Sequence, residues 1–208
     1  MGSWDYADGW LEEPEAIREA RAKAADLGCV PVSAAAAATL ELLAASVQAQ
    51  AIVEVGTGTG VSGAALLRGI TSGGVLTSID IEAESQRVAR EVLSTLGFDH
   101  LRARLIAGRA LEVLPRMSDA AYDMVVVDGD RAEFPAVLNQ AKRLLRVGGL
   151  VVFVGVLDED AIADPSRRDP ETVALRDTAA QLRDDDDWLP ALITSGSGLL
   201  VGCLRGRG

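Results

Sequence analysis

Apolar and polar positions follow one pattern before Ala51 and another after it. Before Ala51, alanine and apolar residues recur at helical spacing in two segments. One begins near Pro14 and ends at Gly28, which suits a capped helix, since proline favours the first turn and glycine the end. The other begins after Ser33, whose hydroxyl is a good N-cap. The first quarter of the chain is therefore predicted to be helical.

From Ala51 onward, short β-branched runs alternate with amphipathic segments. The predicted strands are "AIVEV", "VLTSID", "RARLIAG", "YDMVVVD" and "GLVVFVGV", and the helices between them begin near Val61, Ala83, Arg109 and Phe134. Such alternation is typical of parallel strands joined by crossover helices. This part of the chain is therefore predicted to form a mostly parallel sheet.

The last fifty residues follow a different order. A charged loop, Leu157–Pro170, and a helix from Glu171 precede the strands "WLPALITS" and "GLLVGCLR", which only Gly196-Ser197-Gly198 separates. A turn this short makes the two strands an antiparallel hairpin. We predict one domain over residues 1–208, with N-terminal helices over 1–50 and a doubly wound, Rossmann-like α/β core over 51–208.

Length and charge limit the function. A chain of 208 residues buries one sizeable core. Its formal net charge of −11 repels phosphate backbones and anionic headgroups, so neither nucleic acid nor a membrane is an expected partner. The start of the chain carries no export or lipidation pattern, and Cys29 and Cys203 are too few for a disulfide framework. We therefore expect a cytoplasmic protein.

The stretch "IVEVGTGTGVSG" has two interpretations. Counted from Gly58, it has the Gly-x-Gly-x-x-Gly spacing of a dinucleotide turn; counted from Glu54, it has the Glu-x-Gly-x-Gly-x-Gly spacing of an S-adenosylmethionine (SAM) turn. Glu54 favours SAM, because a carboxylate there attracts an ammonium group and repels a pyrophosphate. The helices before the first strand and the lack of a separate substrate domain favour SAM as well.

Two further strand ends carry candidate cofactor-binding residues. Asp80 ends "LTSID", where a carboxylate can accept hydrogen bonds from both ribose hydroxyls. The third predicted strand ends at Gly108-Arg109-Ala110, which could frame an adenine. An ordinary strand-to-helix turn remains the alternative for Gly108.

Taken together, these motifs resemble a known family. "VEVGTGTGVSG", "LTSID", "LIAGRALEVLP", "YDMVVVDGDRAEF" and "LLRVGGLVVFVGVL" follow in the order and spacing of class I SAM-dependent O-methyltransferases. The resemblance is to the small bacterial relatives of the catechol and caffeoyl-CoA enzymes and extends from about Val30 to Leu204. It implies a seven-stranded sheet with a reversed last strand, in agreement with the hairpin.

The resemblance also implies cofactor-binding roles. They fall on the glycine turn, on three strand ends and on the segment before the second helix. The methionine part is assigned to Val32 (through its backbone), Glu54, Gly56, Thr57 and Gly58, its carboxylate to Ser62, the ribose to Asp80, the adenine to Gly108, Arg109 and Ala110, and the methyl group to Asp128.

The sequence departs from cation-dependent relatives at the metal site. Such relatives bind a divalent metal through the first aspartate of a motif here written Asp128-Gly129-Asp130 and through an Asp-Asn pair that ends the next strand. Val154-Gly155 stands in place of that pair. A hard cation requires several oxygen ligands, so we expect no bound metal, unless the Asp158–Asp160 run supplies the missing ligands.

The catalytic candidates are Asp128, Asp130 and Arg131. Arg131 stands where the family has a catalytic lysine, but arginine stays protonated and cannot act as a base. It pairs with an anionic substrate or with Asp128, or else forms a surface ion pair. Asp128 or Asp130 is the candidate base, unless the acceptor arrives ionised. Orientation alone can supply about 7–11 kcal/mol of the barrier reduction.

We therefore predict a SAM-dependent O-methyltransferase acting on a small hydroxylated molecule. The alternative is a SAM-binding protein of the same fold that has lost catalysis and serves as a dimeric or regulatory module. The alanine-rich second helix and the aromatic residues Trp4, Tyr6 and Trp10 offer apolar surface that a small monomer rarely exposes, which predicts a homodimer.

Overall fold

The computed structural model describes residues 2–157 and 160–206. In these ranges a seven-stranded sheet lies between two layers of helices. The strands are β1 (Ala51–Val55), β2 (Val75–Asp80), β3 (Ala103–Ala107), β4 (Tyr122–Val127), β5 (Leu145–Val154), β6 (Trp188–Ile193) and β7 (Leu199–Leu204). The α-helices are α1 (Ser3–Asp8), α2 (Glu15–Asp26), α3 (Ala34–Ser46), α4 (Val61–Gly69), α5 (Ala83–Thr95), α6 (Ala110–Val113), α7 (Phe134–Leu144) and α8 (Pro170–Asp184).

The strand order is β3-β2-β1-β4-β5-β7-β6. The first five strands of the chain pair in parallel, whereas β7 pairs antiparallel with both β5 and β6. The predicted α/β fold with an antiparallel C-terminal hairpin is therefore confirmed. No helix within the two described ranges is long and apolar enough to cross a membrane.

Alternation along the strands builds a core on each face of the sheet. In β1, Ile52 packs with the helices α2 to α5 and Val53 with the opposite layer of α6 to α8. Met124 and Val125 divide in the same way along β4. Because both faces are covered, the central strands are apolar throughout, as buried parallel strands require.

Two elements differ from the prediction. β5 begins at Leu145 rather than at Gly149, because Leu145 pairs with Tyr122, and the extra residues in β5 before the next pair, Met124 with Leu150, make a register shift that the local sequence does not indicate. The helix α1 was not predicted, since its six residues contain no hydrophobic period. Asp8 docks α1 on α3 by accepting a hydrogen bond from the Ala35 amide at 2.9 Å.

The topology fixes the position of a crevice. β1 and β4 are neighbours in the sheet, but the chain leaves β1 into α4 on one face and β4 into α7 on the other. A crevice opens where the strand order reverses in this way, outside the carboxyl ends of the strands. Any ligand of this fold is expected there.

Candidate functional site

The glycine turn joins β1 to α4 at the mouth of the crevice. Gly56 has a φ of +95°, and a Cβ at this position would lie 2.7 Å from the carbonyl carbon of Asp128. The Asp128 amide in turn donates to the Val55 carbonyl at 2.8 Å. Glycine is required here because the ends of β1 and β4 touch. This close contact between strands is a second reason for a glycine, beside the expected close approach of a ligand.

Asp80 holds the turn in place from the end of β2. One carboxylate oxygen, Oδ2, accepts hydrogen bonds from the amides of Thr57 at 2.8 Å and Gly58 at 2.9 Å. The other, Oδ1, accepts from the Glu82 amide at 2.9 Å. A carboxylate offers about four acceptor positions. The expected role of Asp80 with ribose hydroxyls stays a prediction, and the turn contacts are a structural role that the sequence did not indicate.

Two cavities meet at this turn. The first, here called the Ser62 cavity, has a volume of about 180 Å³, and the second, the Gly108 cavity, about 160 Å³. Gly56 and Asp80 line both. All other predicted residues except Glu54 and Arg131 line one of the two: Val32, Thr57, Gly58, Ser62 and Asp128 line the Ser62 cavity, and Gly108, Arg109, Ala110 and Asp130 line the Gly108 cavity.

Glu54 lies beneath the turn and lines neither cavity. Its side chain is fully buried and accepts a hydrogen bond from the Ser78 hydroxyl at 2.5 Å, while Oε1 makes no hydrogen bond with any described residue. Burial raises the pKa of Glu54 to about 7, although the Ser78 and Ser62 hydroxyls favour the charged form. Its expected contact with an ammonium group therefore stays a prediction.

A polar network behind the turn was not predicted from the sequence. The hydroxyls of Thr57 and Ser78 lie 2.7 Å apart, and the Gln86 amide nitrogen donates to the Thr57 hydroxyl at 3.1 Å and to the Ile106 carbonyl at 3.0 Å. Ser78 and Gln86 are both buried. The sequence could have indicated this network, because Ser78 lies inside an apolar strand and Gln86 on the buried face of a helix, and buried polar residues require hydrogen-bond partners.

The N-terminal segment forms one wall of the Ser62 cavity. Val32 lines it, and its backbone carbonyl accepts a hydrogen bond from Arg21 at 2.6 Å. Glu13 holds the same guanidinium at 2.7 Å. Two half-buried charges therefore fix this wall, while Val30 beside it is 91% exposed. An apolar side chain so exposed at a cavity rim is available to a ligand.

Two residues of opposite charge, Asp128 and Arg131, follow the end of β4. Burial raises the pKa of Asp128 to about 6, and the nearby Arg131 guanidinium counteracts this shift. Arg131 lies over the end of β5, where a Cβ on Gly155 would be 3.1 Å from its Nη2 atom. Asp128 can therefore take up a proton near neutral pH, and Arg131 places positive charge next to it.

The other charged candidates have local partners. Asp130 is exposed, and its Oδ1 accepts a hydrogen bond from the Ala132 amide at 2.9 Å, which caps the short 3₁₀ helix Arg131–Glu133. Arg109 forms an ion pair with Glu133 at 3.2 Å across the Gly108 cavity. Of the two candidate bases, Asp128 is thus the more buried one.

The donor set around Asp128 does not fit a divalent cation. In the described part of the chain no cluster of three or more His, Cys, Asp or Glu residues is arranged to hold one. Val154 and Gly155 contribute no side-chain oxygen, and the Arg131 guanidinium repels a cation. Asp158 and Glu159 lie outside the described residues, and Asp160 is exposed. The expected absence of a metal stays a prediction.

Sequence comparisons identify relatives over nearly the whole chain. A family model described as O-methyltransferase matches residues 10–205. A protein of Mycobacteroides abscessus named as an O-methyltransferase is 44% identical over 196 residues, which cover 94% of this chain and 91% of that protein. A Mycobacterium tuberculosis protein with the same kind of name is 42% identical over 198 residues, covering 95% and 88%.

Solved structures agree with this result. The O-methyltransferase TomG of Streptomyces achromogenes, which is involved in tomaymycin synthesis and was solved in complex with SAM, is 27% identical with a TM-score of 0.89 and coverage of 99% of this chain and 100% of that one. A Corynebacterium glutamicum protein is 28% identical with a TM-score of 0.90, covering 98% and 95%. Both likenesses extend over the strands that form the crevice.

Proposed function

The chain is an enzyme of the O-methyltransferase family, and on that premise we propose that it transfers the methyl group of SAM to a hydroxyl group of a small molecule, without a tightly bound metal. One observation carries the proposal: two cavities meet at Gly56 and Asp80, and the proton acceptor Asp128 lines one of them. The SAM complex of the similar TomG supports the choice of cofactor.

The Ser62 cavity suits the methionine part of SAM. It lies at the N-terminus of α4, where the first backbone amides have no partner within the helix and, with the helix dipole, attract a carboxylate, and the Ser62 hydroxyl adds a donor. The Gly108 cavity suits the nucleoside, with Asp80 between the two parts for the ribose hydroxyls. Bound SAM would supply a methyl group already activated on a sulfonium, which leaves orientation and proton removal to the protein.

Asp128 is the proposed base. A carboxyl with a pKa of about 6 is ionised at neutral pH and is still basic enough to accept a proton. The acceptor hydroxyl would give its proton to Asp128 as its oxygen bonds the methyl carbon and the bond from that carbon to the sulfonium sulfur breaks, which would release S-adenosylhomocysteine. Arg131 donates an N–H to the same oxygen and stabilises the negative charge that develops there. Phenols, with a pKa near that of tyrosine at about 10, suit such a base better than aliphatic alcohols.

The catalytically silent alternative receives no support. The similar proteins are named as O-methyltransferases, and the crevice retains Asp128, Asp80 and the glycine turn together. Cofactor choice is tested by isothermal titration with S-adenosylhomocysteine, SAM and NAD. We expect dissociation constants on the order of micromolar for the first two, and competition by NAD would overturn the proposal.

Asp80 offers the sharpest mutational test of cofactor binding. Asp80→Ala should weaken S-adenosylhomocysteine binding roughly 10- to 100-fold, because it removes hydrogen bonds to a charged group worth about 1.5–3 kcal/mol. Since Asp80 also holds the turn, Asp80→Asn is the matched control: the single oxygen of asparagine can still accept hydrogen bonds from the Thr57 and Gly58 amides, so the turn should be kept while affinity falls less. Unchanged titration curves for both variants would mean that Asp80 does not bind the ribose.

We also propose that the enzyme is a cytoplasmic homodimer. Cys29 and Cys203 are unpaired thiols, as is usual in a reducing compartment. Trp10, Leu11 and Leu42 expose half or more of their surface, and apolar side chains of this size are common at subunit interfaces.

A further inference from the structure

The side chains of Arg109 and Glu133 form an ion pair at the cavity proposed for the nucleoside. Both residues line the Gly108 cavity, and the guanidinium Nη2 lies 3.2 Å from the carboxylate Oε1. Arg109 follows the end of β3 and Glu133 follows the end of β4, and these two strands are not neighbours in the sheet. A partly exposed ion pair contributes little to stability, so stability alone does not explain its position at a cavity.

The backbone holds both residues in place. Gly108 precedes Arg109, and its amide donates to the carbonyl at the end of β2 at 2.9 Å. On the other side, Asp130 caps the 3₁₀ helix that ends at Glu133, and Pro135 stands in the first turn of α7 directly after it. A cap and a proline at these positions restrict the backbone. Each of the two charged side chains therefore extends from a rigid segment.

Among the described carboxylates around the Gly108 cavity, Glu133 is the one suited to a base. Asp80 uses both oxygens for backbone amides and is assigned to the ribose hydroxyls, and Asp130 is exposed to water. The Glu133 side chain is only 23% exposed, and its Oε2 atom accepts no hydrogen bond from the described residues. Water competes less with a ligand N–H at a half-buried carboxylate, so a hydrogen bond formed there is stronger.

The ion pair places an acceptor beside a donor, which is the pattern that adenine requires. The amino group at C6 of adenine donates, and the neighbouring ring nitrogen N1 accepts. Glu133 Oε2 can accept from the amino group, and the Arg109 guanidinium, which has five N–H groups, can donate to N1. Hypoxanthine has the reverse pattern, with a carbonyl oxygen at C6 and an N–H at N1. A carboxylate next to that carbonyl would bring two acceptors together.

Apolar side chains form the remaining surface of the cavity. Val55, Ile79, Ile81 and Ala110 line it, and Ile81 is 62% exposed. A flat aromatic base packs against such side chains through its faces, whatever groups its edge carries. These contacts therefore do not distinguish one purine from another, and the discrimination depends on the polar pair.

We propose that Glu133 selects the adenine base of the cofactor by accepting a hydrogen bond from its amino group, while Arg109 holds this carboxylate in position and donates to N1. Selection of the base in this way rests on the proposed function, since it assigns a specificity-determining residue to the same cofactor site. Glu133 adds what the Gly108-Arg109-Ala110 segment lacks, because none of these three residues has a side-chain acceptor.

The test compares S-adenosylhomocysteine with S-inosylhomocysteine, in which a carbonyl oxygen replaces the amino group of the base. Each compound is titrated calorimetrically into the purified full-length protein. We expect wild type to bind the inosine compound about 30-fold more weakly, because a hydrogen bond to a charged group is lost and two acceptors face each other. Equal affinity for the two compounds would overturn the assignment.

The variant Glu133→Gln assigns the preference to this residue. Its side-chain amide can turn its nitrogen toward the carbonyl of the inosine compound. This compound should therefore bind about tenfold more tightly than to wild type, whereas S-adenosylhomocysteine should bind about threefold more weakly. A damaged fold would not produce such a gain. Glu112→Gln is the matched control: it removes the same charge from α6 at an exposed position outside the cavity lining, and it should bind both compounds as wild type does.

Failure of this assignment differs from failure of the proposed function. Glu133 is not the selecting residue if Glu133→Gln keeps the wild-type preference, if Glu112→Gln loses the preference as well, or if Asp130→Asn admits the inosine compound in its place. In each of these cases wild type still binds S-adenosylhomocysteine, and the proposed cofactor stands. If wild type binds neither compound, the proposed function and the selection of adenine fail together.

Discussion

Asp128 is the residue at which burial and a neighbouring charge oppose each other. Burial raises its pKa to about 6, and Arg131 limits the rise. The sequence predicted Asp128 at the tip of a strand and Arg131 beside it, since both belong to one motif. It could not predict the position of Arg131 over Gly155, because that contact joins β4 to β5 and depends on how the two strand ends pack.

The proposed base should appear in the pH profile. Since Asp128 must be deprotonated to accept a proton and its pKa is about 6, kcat/KM should rise as pH increases through about 6 and level off above 7. Asp128→Asn should lower kcat by about 10²- to 10⁴-fold, the usual contribution of a general base, while S-adenosylhomocysteine still binds. A variant with wild-type turnover would exclude Asp128 as the base, and Asp130→Asn is the matched control.

Glu54 should make folding stability depend on pH. Its pKa is about 7 in the folded protein against an ordinary value of 4.5, so its contribution to stability is fully present below pH 4.5 and is lost as pH rises through 7. Glu54→Gln removes this loss. The free energy of unfolding of the variant, relative to wild type, should therefore gain about 3 kcal/mol between pH 4.5 and 8. Urea titrations at several pH values measure it, and a difference that stays constant with pH would contradict the assignment.

Among the structural elements, the glycine turn could be predicted from the sequence, but the separate roles of its glycines could not. The sequence identified the turn between β1 and α4, because glycine spacing and strand pattern are local. It did not distinguish the glycines from each other. Gly56 abuts the backbone of Asp128, whereas a Cβ on Gly58 would meet nothing within 4 Å. The helix α1 and the early start of β5 were not predicted either, because both depend on contacts between elements that are distant in sequence.

This difference predicts unequal effects of two alanine substitutions. Gly56→Ala adds a steric collision to an unfavourable φ and should destabilise the protein by about 3–5 kcal/mol. Gly58→Ala, with a φ of +49° and open space, should cost only about 1 kcal/mol. Thermal or urea unfolding of the apo variants compares them directly. Equal losses would mean that the ends of β1 and β4 do not touch as described.

For the whole molecule, the arrangement of strands explains why fold prediction succeeded where substrate prediction did not. Parallel strands and a final hairpin follow from local patterns, and together they specify the crevice between β1 and β4. No local sequence pattern indicates the cavity of about 860 Å³ between α1, the start of α3 and the β6–β7 turn, because these elements are distant in sequence.

The proposed homodimer is a prediction at this scale. Exposed apolar residues such as Trp10, Leu42 and Leu192 are expected to lie in an interface between two copies, which for a stable dimer buries more than about 1,000 Å². Sedimentation velocity at micromolar concentration should show a species near twice the mass of 21.8 kDa. A single monomer species across that range would contradict it.

If this chain moves a methyl group from SAM to a hydroxyl with Asp128 as base and no metal, the reaction should proceed without a divalent cation. In the most direct measurement, the purified protein is incubated with methyl-deuterated SAM and a set of catechols, with and without EDTA. Labelled methyl ether is then detected by mass spectrometry. The predicted result is labelled ether formed at the same rate in both conditions. Label that appears only without EDTA and returns on addition of Mg²⁺ would show that the reaction requires a metal.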